Sequence, residues 1–192
     1  MKHLLSILLV ATLPSVASAD LIGVYSDPST VLCSVHDDPG PKTLYVVHKF
    51  SLGSFGSRFR VEYSSGFTGT LVGFSSSFAS VSGNPAGGAT VMYDNVCQAG
   101  TFQVMTLSFM LYGGSPTCSW VRVAPTSVQV YTCGQQWQPA DWEGTHVTPG
   151  SGGPNCPNDL PYEEHTHFCR PYWEPTIPTA ESTWGAVKAL YR

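Results

Sequence analysis

No helical period is sustained between residues 20 and 133, and short apolar or β-branched runs recur there between turn residues. Arg58-Phe59-Arg60-Val61-Glu62-Tyr63 alternates strictly, with Phe59, Val61 and Tyr63 on one face, as a half-buried strand requires. Runs at 21–25, 31–35, 43–50, 89–93 and 101–112 are rich in β-branched and aromatic residues. Gly53-Ser54, Ser65-Gly66, Gly83-Asn84-Pro85 and Gly113-Gly114-Ser115-Pro116 punctuate them. Many short strands with frequent turns predict an all-β chain, an antiparallel β-sandwich of immunoglobulin-like or jelly-roll-like type. The run at 101–112 changes phase. Phe102 and Val104 share one parity, and Met105, Leu107, Phe109 and Leu111 share the other, which predicts a bulge or burial on both faces.

The chain opens with Lys2 and His3, a short apolar run to Leu13, and Ala17-Ser18-Ala19. That pattern reads as a signal peptide over residues 1–19, with the mature chain starting at Asp20. Cleavage leaves no transmembrane segment, because no apolar run reaches the roughly 20 residues that a spanning helix needs. Only 11% of the 192 residues are charged, the formal net charge is −4, and no Lys/Arg cluster occurs. A basic nucleic-acid binder is therefore excluded. The expected location is secreted or cell-envelope associated, extracellular or periplasmic.

Six cysteines, Cys33, Cys97, Cys118, Cys133, Cys156 and Cys169, follow the export signal, and an even count in an oxidising compartment reads as disulfides. Ala124-Pro125-Thr126-Ser127 reads as a four-residue turn with Pro125 at its second position. The hairpin register that follows sets Val123 opposite Val128, Val121 opposite Val130, Trp120 opposite Tyr131 and Cys118 opposite Cys133. Opposed Cα atoms lie about 4.5–5.5 Å apart, within disulfide reach, so a Cys118–Cys133 bridge is predicted. Cys156 and Cys169 would close a short loop, and Cys33 would join Cys97 by elimination.

After Cys133 the texture changes. Residues 134–178 are rich in Pro and Gly and show no strand or helix pattern, so the sandwich is expected over 20–133, followed by a Pro/Gly/aromatic-rich extension with a disulfide loop. Residues 179–192 read as a short C-terminal helix or sorting tag, with Trp184, Val187 and Tyr191 at helical spacing.

The chemistry-bearing residues are sparse. Cys156, His165, His167 and Cys169 form the single metal-like cluster, but export favours a disulfide and the spacing fits no usual zinc pattern. No metal or other cofactor is expected. There is no G-x-S-x-G elbow, bridged cysteines leave no thiolate, and neighbouring pairs such as Asp37-Asp38 diverge in a strand or loop, so no catalytic residue is assigned. Trp137, Trp142 and Trp173 are the candidate ligand contacts: they either cover a sandwich edge or meet a protein or a glycan.

Leu21-Ile22-Gly23-Val24-Tyr25-Ser26-Asp27 near the start and Thr183-Trp184-Gly185-Ala186-Val187-Lys188-Ala189-Leu190-Tyr191-Arg192 at the end resemble a group of uncharacterised secreted bacterial β-sandwich proteins. These share an I-G-V-Y-x-D start and a T-W-G-x-[IV]-K-x-L-Y-R tail. The resemblance implies export and a recurring terminal tag, and it supplies no catalytic residues. The expectation is an exported non-enzymatic structural or adhesive module with a protein or glycan partner at the cell surface. A carbohydrate-binding module is the alternative, and a small secreted hydrolase the second.

Overall fold

A computed structural model describes residues 20–148 apart from Cys33 and Thr117. The signal-peptide segment, the Cys156–Cys169 pair, His165, His167, Trp173 and the C-terminal helix lie outside the described residues. The strands are β1 (Leu21–Tyr25), β2 (Ser34–His36), β3 (Gly40–Phe59), β4 (Val61–Tyr63), β5 (Gly69–Ser75), β6 (Ser80–Asn84), β7 (Gly88–Met92), β8 (Gln98–Leu111), β9 (Ser119–Val123), β10 (Gln129–Thr132), β11 (Trp137–Pro139) and β12 (Asp141–Thr148). A single 3-10 turn, Pro125–Ser127, joins β9 to β10. No helix among the described residues is long and apolar enough to cross a membrane.

The chain is a β-sandwich, and the 20-residue strand β3 is its spine. The first half of β3 lies between β8 and β1, and its second half between β7 and β10. Phe50 (φ 57°) and Gly53 (φ 138°) turn the strand between these halves, where the ladder to β8 shifts register. Beyond β8 lies β5, and beyond β7 lies β6. The opposing layer runs β2-β12-β9-β4. Strand β12 joins the layers: its start pairs with β1 and its end with β9. Its pairings with β1 and β2 are parallel, and every other ladder is antiparallel.

Alternation builds the core. Ile22 and Val24, Leu44 and Val46, Ala89 and Val91, Leu107 and Phe109, Val121 and Val123, and Val128 and Val130 are all buried in one cluster. The phase change in β8 is a bulge. Val46 faces Met105 while Val47 faces Gln103, which leaves Val104 as the extra residue. Val104 and Met105, adjacent in sequence, are therefore both buried.

Three expectations are corrected. First, β9 and β10 do not form a hairpin: β9 pairs with β4 and β12, and β10 with β3 and β11. The Pro125 turn carries the chain from one layer to the other, and Val121, Val123, Val128 and Val130 reach the same core from both sides. A matching crossover at Arg60 splits the run at 58–63 into the end of β3 and β4, and Ala124 N–H donates to Arg60 O (2.7 Å), tying the two crossovers together. Second, Cys133 bonds to Cys97, so neither Cys118–Cys133 nor Cys33–Cys97 forms; Cys118 is in a separate disulfide. The bend of β3 explains this pairing. Gln98 is registered with Ser54, and Cys133 N–H donates to Gly53 O (3.1 Å), so both cysteines converge on Gly53. A Cβ at that position would stand 2.9 Å from Cys97 Sγ and 3.2 Å from Cys133 Sγ. Third, strands continue past Cys133: β11 extends the β10 side, and β12 takes three neighbours, so the sandwich reaches Thr148.

Two tyrosines are sealed in the fold. Tyr25 donates its hydroxyl to Glu143 and lies over Gly23, where a Cβ would meet its ring and hydroxyl. Burial, reinforced by the Glu143 charge, pushes the Tyr25 pKa far above its usual value; burial does the same for Tyr93. Both stay protonated in the folded state. Their contribution is complete below the unfolded tyrosine pKa of about 10 and is lost as pH rises above it, at about 1.4 kcal/mol per unit for each. Denaturant unfolding at pH 8 and at pH 11 should show this loss, with a smaller drop in Tyr25→Phe. Equal stability at the two pH values would refute it.

Candidate binding surface

Asp94 is the only Asp, Glu, Lys or Arg between Glu62 and Arg122. That uncharged stretch supplies β5 to β8, and it shapes one face of the molecule. Directly paired residues share a face, so the registers define rows across the outer side of the β5-β8-β3-β1 sheet. One row is Ser75, Thr106 and Tyr45, ending at the fully buried Tyr25; the next is Gly73, Ser108 and Thr43; the third is Thr70, Met110 and Pro41. Hydroxyls, rings and a thioether fill it. Lys49 and Glu143 mark one margin, with Lys49 Nζ donating to Glu143 (3.2 Å) and lying 5.1 Å from the centre of the Tyr25 ring.

Strand β5 forms the edge of this face, pairing with β8 alone among the described residues. Its sequence, GTLVGFS, holds no charge and no proline. Edge strands usually carry such residues because unpaired N–H and C=O groups invite another chain. Val72 is 61% exposed, and the neighbouring Tyr112 is 60% exposed with its hydroxyl donating to Thr70 (3.3 Å). An uncharged sheet face ending in an apolar edge strand, irregular once between Leu71 and Gly73, can bury a complementary surface with little loss of charge hydration.

The sequence-predicted tryptophans are placed otherwise. Trp142 is 9% exposed and belongs to the core cluster, with the Arg122 guanidinium 4.8 Å from its ring and 4.0 Å from that of Trp120. Arg122 Nε also donates to Glu62 (2.8 Å). Trp137 packs against Tyr131, ring centres 5.2 Å apart, and carries Arg58 at 4.7 Å. Their rings are engaged in arginine and aromatic stacks rather than held open as flat platforms. The structure does not bring the two together, because Trp137 belongs to β11 and Trp142 to β12 beside β1 and β9.

The inner side of the sandwich holds a polar group that the sequence reading missed. His48 Nε2 lies 2.9 Å from Asp20 Oδ1, and its Nδ1 lies 3.2 Å from the Tyr93 hydroxyl and 3.5 Å from Ser54 Oγ. Ser54 Oγ is 3.1 Å from Ser51 Oγ. These are the residue types of a hydrolase triad, yet His48 and Ser54 are both fully buried. The nitrogen that would activate Ser54 is shared with the closer Tyr93 hydroxyl, so the geometry suits a structural network better than a nucleophile. The available signal was parity: His48 follows Leu44 and Val46 on the inward face of β3.

No family model matches the chain, and no curated protein matches it. Among solved structures it is similar to a cohesin module from the family 33 glycoside hydrolase of Clostridium perfringens. The two share 8% identity over 69% of this chain and 98% of that one, with a TM-score of 0.54. Weaker likenesses are a third cohesin of Acetivibrio cellulolyticus solved with a dockerin (9% identity, 67% and 99% covered, TM-score 0.47) and a type I cohesin from Pseudobacteroides cellulosolvens (11%, 71% and 94%, 0.44). At such identity the likeness shows the fold, a cohesin-like β-sandwich.

Proposed function

We propose that this chain is an exported, non-enzymatic adhesive module that docks another protein on the outer face and edge of the β5-β8-β3-β1 sheet. The observation that carries this reading is the uncharged face bounded by exposed Val72 and Tyr112. Association is favoured there by apolar burial and by hydrogen bonding to the open edge of β5, with little cost in stripping water from ions. The similarity in fold to a cohesin module fits an attachment role. The buried disulfide-braced core and the sealed His48 network fit stability rather than turnover.

Val72→Glu with Tyr112→Glu places two carboxylates on the face without touching the core. The double variant should keep the wild-type melting temperature and lose at least about tenfold in affinity for the protein partner that the wild type retains. Surface plasmon resonance against that partner reads the change. Equal binding by both proteins would overturn the proposal, as would a polysaccharide retained in place of a protein.

A further inference from the structure

Three connections meet at one end of the sandwich: the β3–β4 crossover, the β6–β7 turn and the Pro125 turn that leads into β10. Val61 N–H donates to Pro85 O (2.7 Å), and Ala124 N–H donates to Arg60 O (2.7 Å), so backbone bonds hold the three in register. Between them lies a cleft of about 300 Å³ lined by Arg58, Arg60, Gly88, Thr126, Ser127 and Gln129 among others. No acidic side chain lines it. Two arginines thus line one concavity in a chain whose formal net charge is −4.

The arginines are set in different ways. Arg58 is held: its Nε donates to Thr90 Oγ1 (3.3 Å), and its guanidinium lies 4.7 Å from the Trp137 ring centre. That arrangement uses Nε and leaves both Nη groups to donate. Arg60 reaches Glu62 at 3.6 Å, but Glu62 is closer to Arg122 Nε, at 2.8 Å, and the Arg60 side chain is 44% exposed. An exposed pair of this kind contributes little and exchanges readily for a better anion.

We infer that this cleft binds a single carboxylated sugar residue. A planar carboxylate matches the donor fork of arginine. A bare carboxylate only accepts, however, and the remaining lining is amphoteric: the Thr126 hydroxyl and the Gln129 amide both donate and accept, and Ser127, which donates to Ala124 O (3.2 Å), can accept. Hydroxyl groups around a sugar ring need that mixture. Gly88, at φ 120°, lets a ring approach the backbone without a side chain between them. The volume lies at the small end of ligand sites, enough for about one ring. The net negative charge of the chain opposes a long run of carboxylates, so an isolated or terminal acidic residue fits best.

The test is an NMR titration of the full chain at low salt with methyl glucuronide, methyl glucoside and N-acetylglutamate amide in parallel. Methyl glucuronide should shift the backbone amides of 58–60, 87–88 and 126–129, with affinity at least about tenfold above the glucoside. Arg58→Gln with Arg60→Gln should remove the response. Thr126→Glu, on an exposed turn, should remove it while the melting temperature stays at the wild-type value. Equal binding of glucoside, equal or tighter binding of the glutamate derivative, absence of shifts at the cleft, or a response unchanged in Thr126→Glu would each overturn the inference.

Discussion

Replacing both Cys97 and Cys133 by alanine is expected to destabilise the sandwich by about 4 kcal/mol, since the bridge closes a loop with a sequence separation of 36 residues. On a domain of this size that corresponds to a fall in melting temperature on the order of 10 °C. The loss arises mainly in the unfolded chain, which regains the freedom the cross-link had removed. A native-state effect adds to it, because the bridge fastens the β8 and β10 sides of β3 at its bend. Gly53→Ala probes that part alone: it must adopt φ 138° and push against both sulfurs, so it should destabilise even with the disulfide intact. Calorimetry measures both variants. Non-reducing peptide mapping should recover Cys97 linked to Cys133, and recovery of Cys133 linked to Cys118 would refute the pairing.

His48→Leu is the second large effect. The leucine fills much of the volume but removes the imidazole that faces the Asp20 carboxylate inside the sandwich, at a cost of about 3–5 kcal/mol. It also takes away a hydrogen-bond partner of Tyr93 and Ser54. Urea unfolding of His48→Leu reads the loss, and His36→Leu is the control. His36 is exposed at the end of β2, and its replacement should stay within about 0.5 kcal/mol of wild type. A His48→Leu protein within about 1 kcal/mol of wild type (about a fivefold step in the folding constant) would show that the network contributes nothing of consequence. The docking proposed for the outer sheet face does not use this network, so the same variant, where still folded, should keep the affinity for a partner bound there.

The candidate site was legible only in part. Absence of charge was visible in the composition, but its gathering on one face was not, because β5 and β8 are neighbours only through their register. The tryptophans drew attention as chemistry, yet Trp142 is a core residue. It sits in β12, whose sequence DWEGTHVT carries no clean alternation. That strand is held by backbone pairing with β1, β2 and β9, and such pairing leaves no local signature. In the strict alternation of 58–63, Arg58 and Arg60 fall on the face opposite Phe59, Val61 and Tyr63 of one strand. The crossover at Arg60 changes that by ending β3 and turning the chain into the opposing layer.

By itself the sequence determined the inward face of most strands, where most of them run, and that the run at 101–112 either bulges or is buried on both faces, since a period of two fixes the face of a strand residue and its interruption marks a change. It also determined that the chain turns at Pro125. Only the tertiary structure decided what each strand lies beside. Val121, Val123, Val128 and Val130 are buried equally well by a hairpin or by a crossover, because apolar burial carries no direction. The crossover prevails through partners supplied from far along the chain: β4 and β12 for β9, β3 and β11 for β10. With it go the cysteine pairing, the continuation of the sandwich to β12 and the cleft between the turns, all of which depend on neighbours that a period of two does not name.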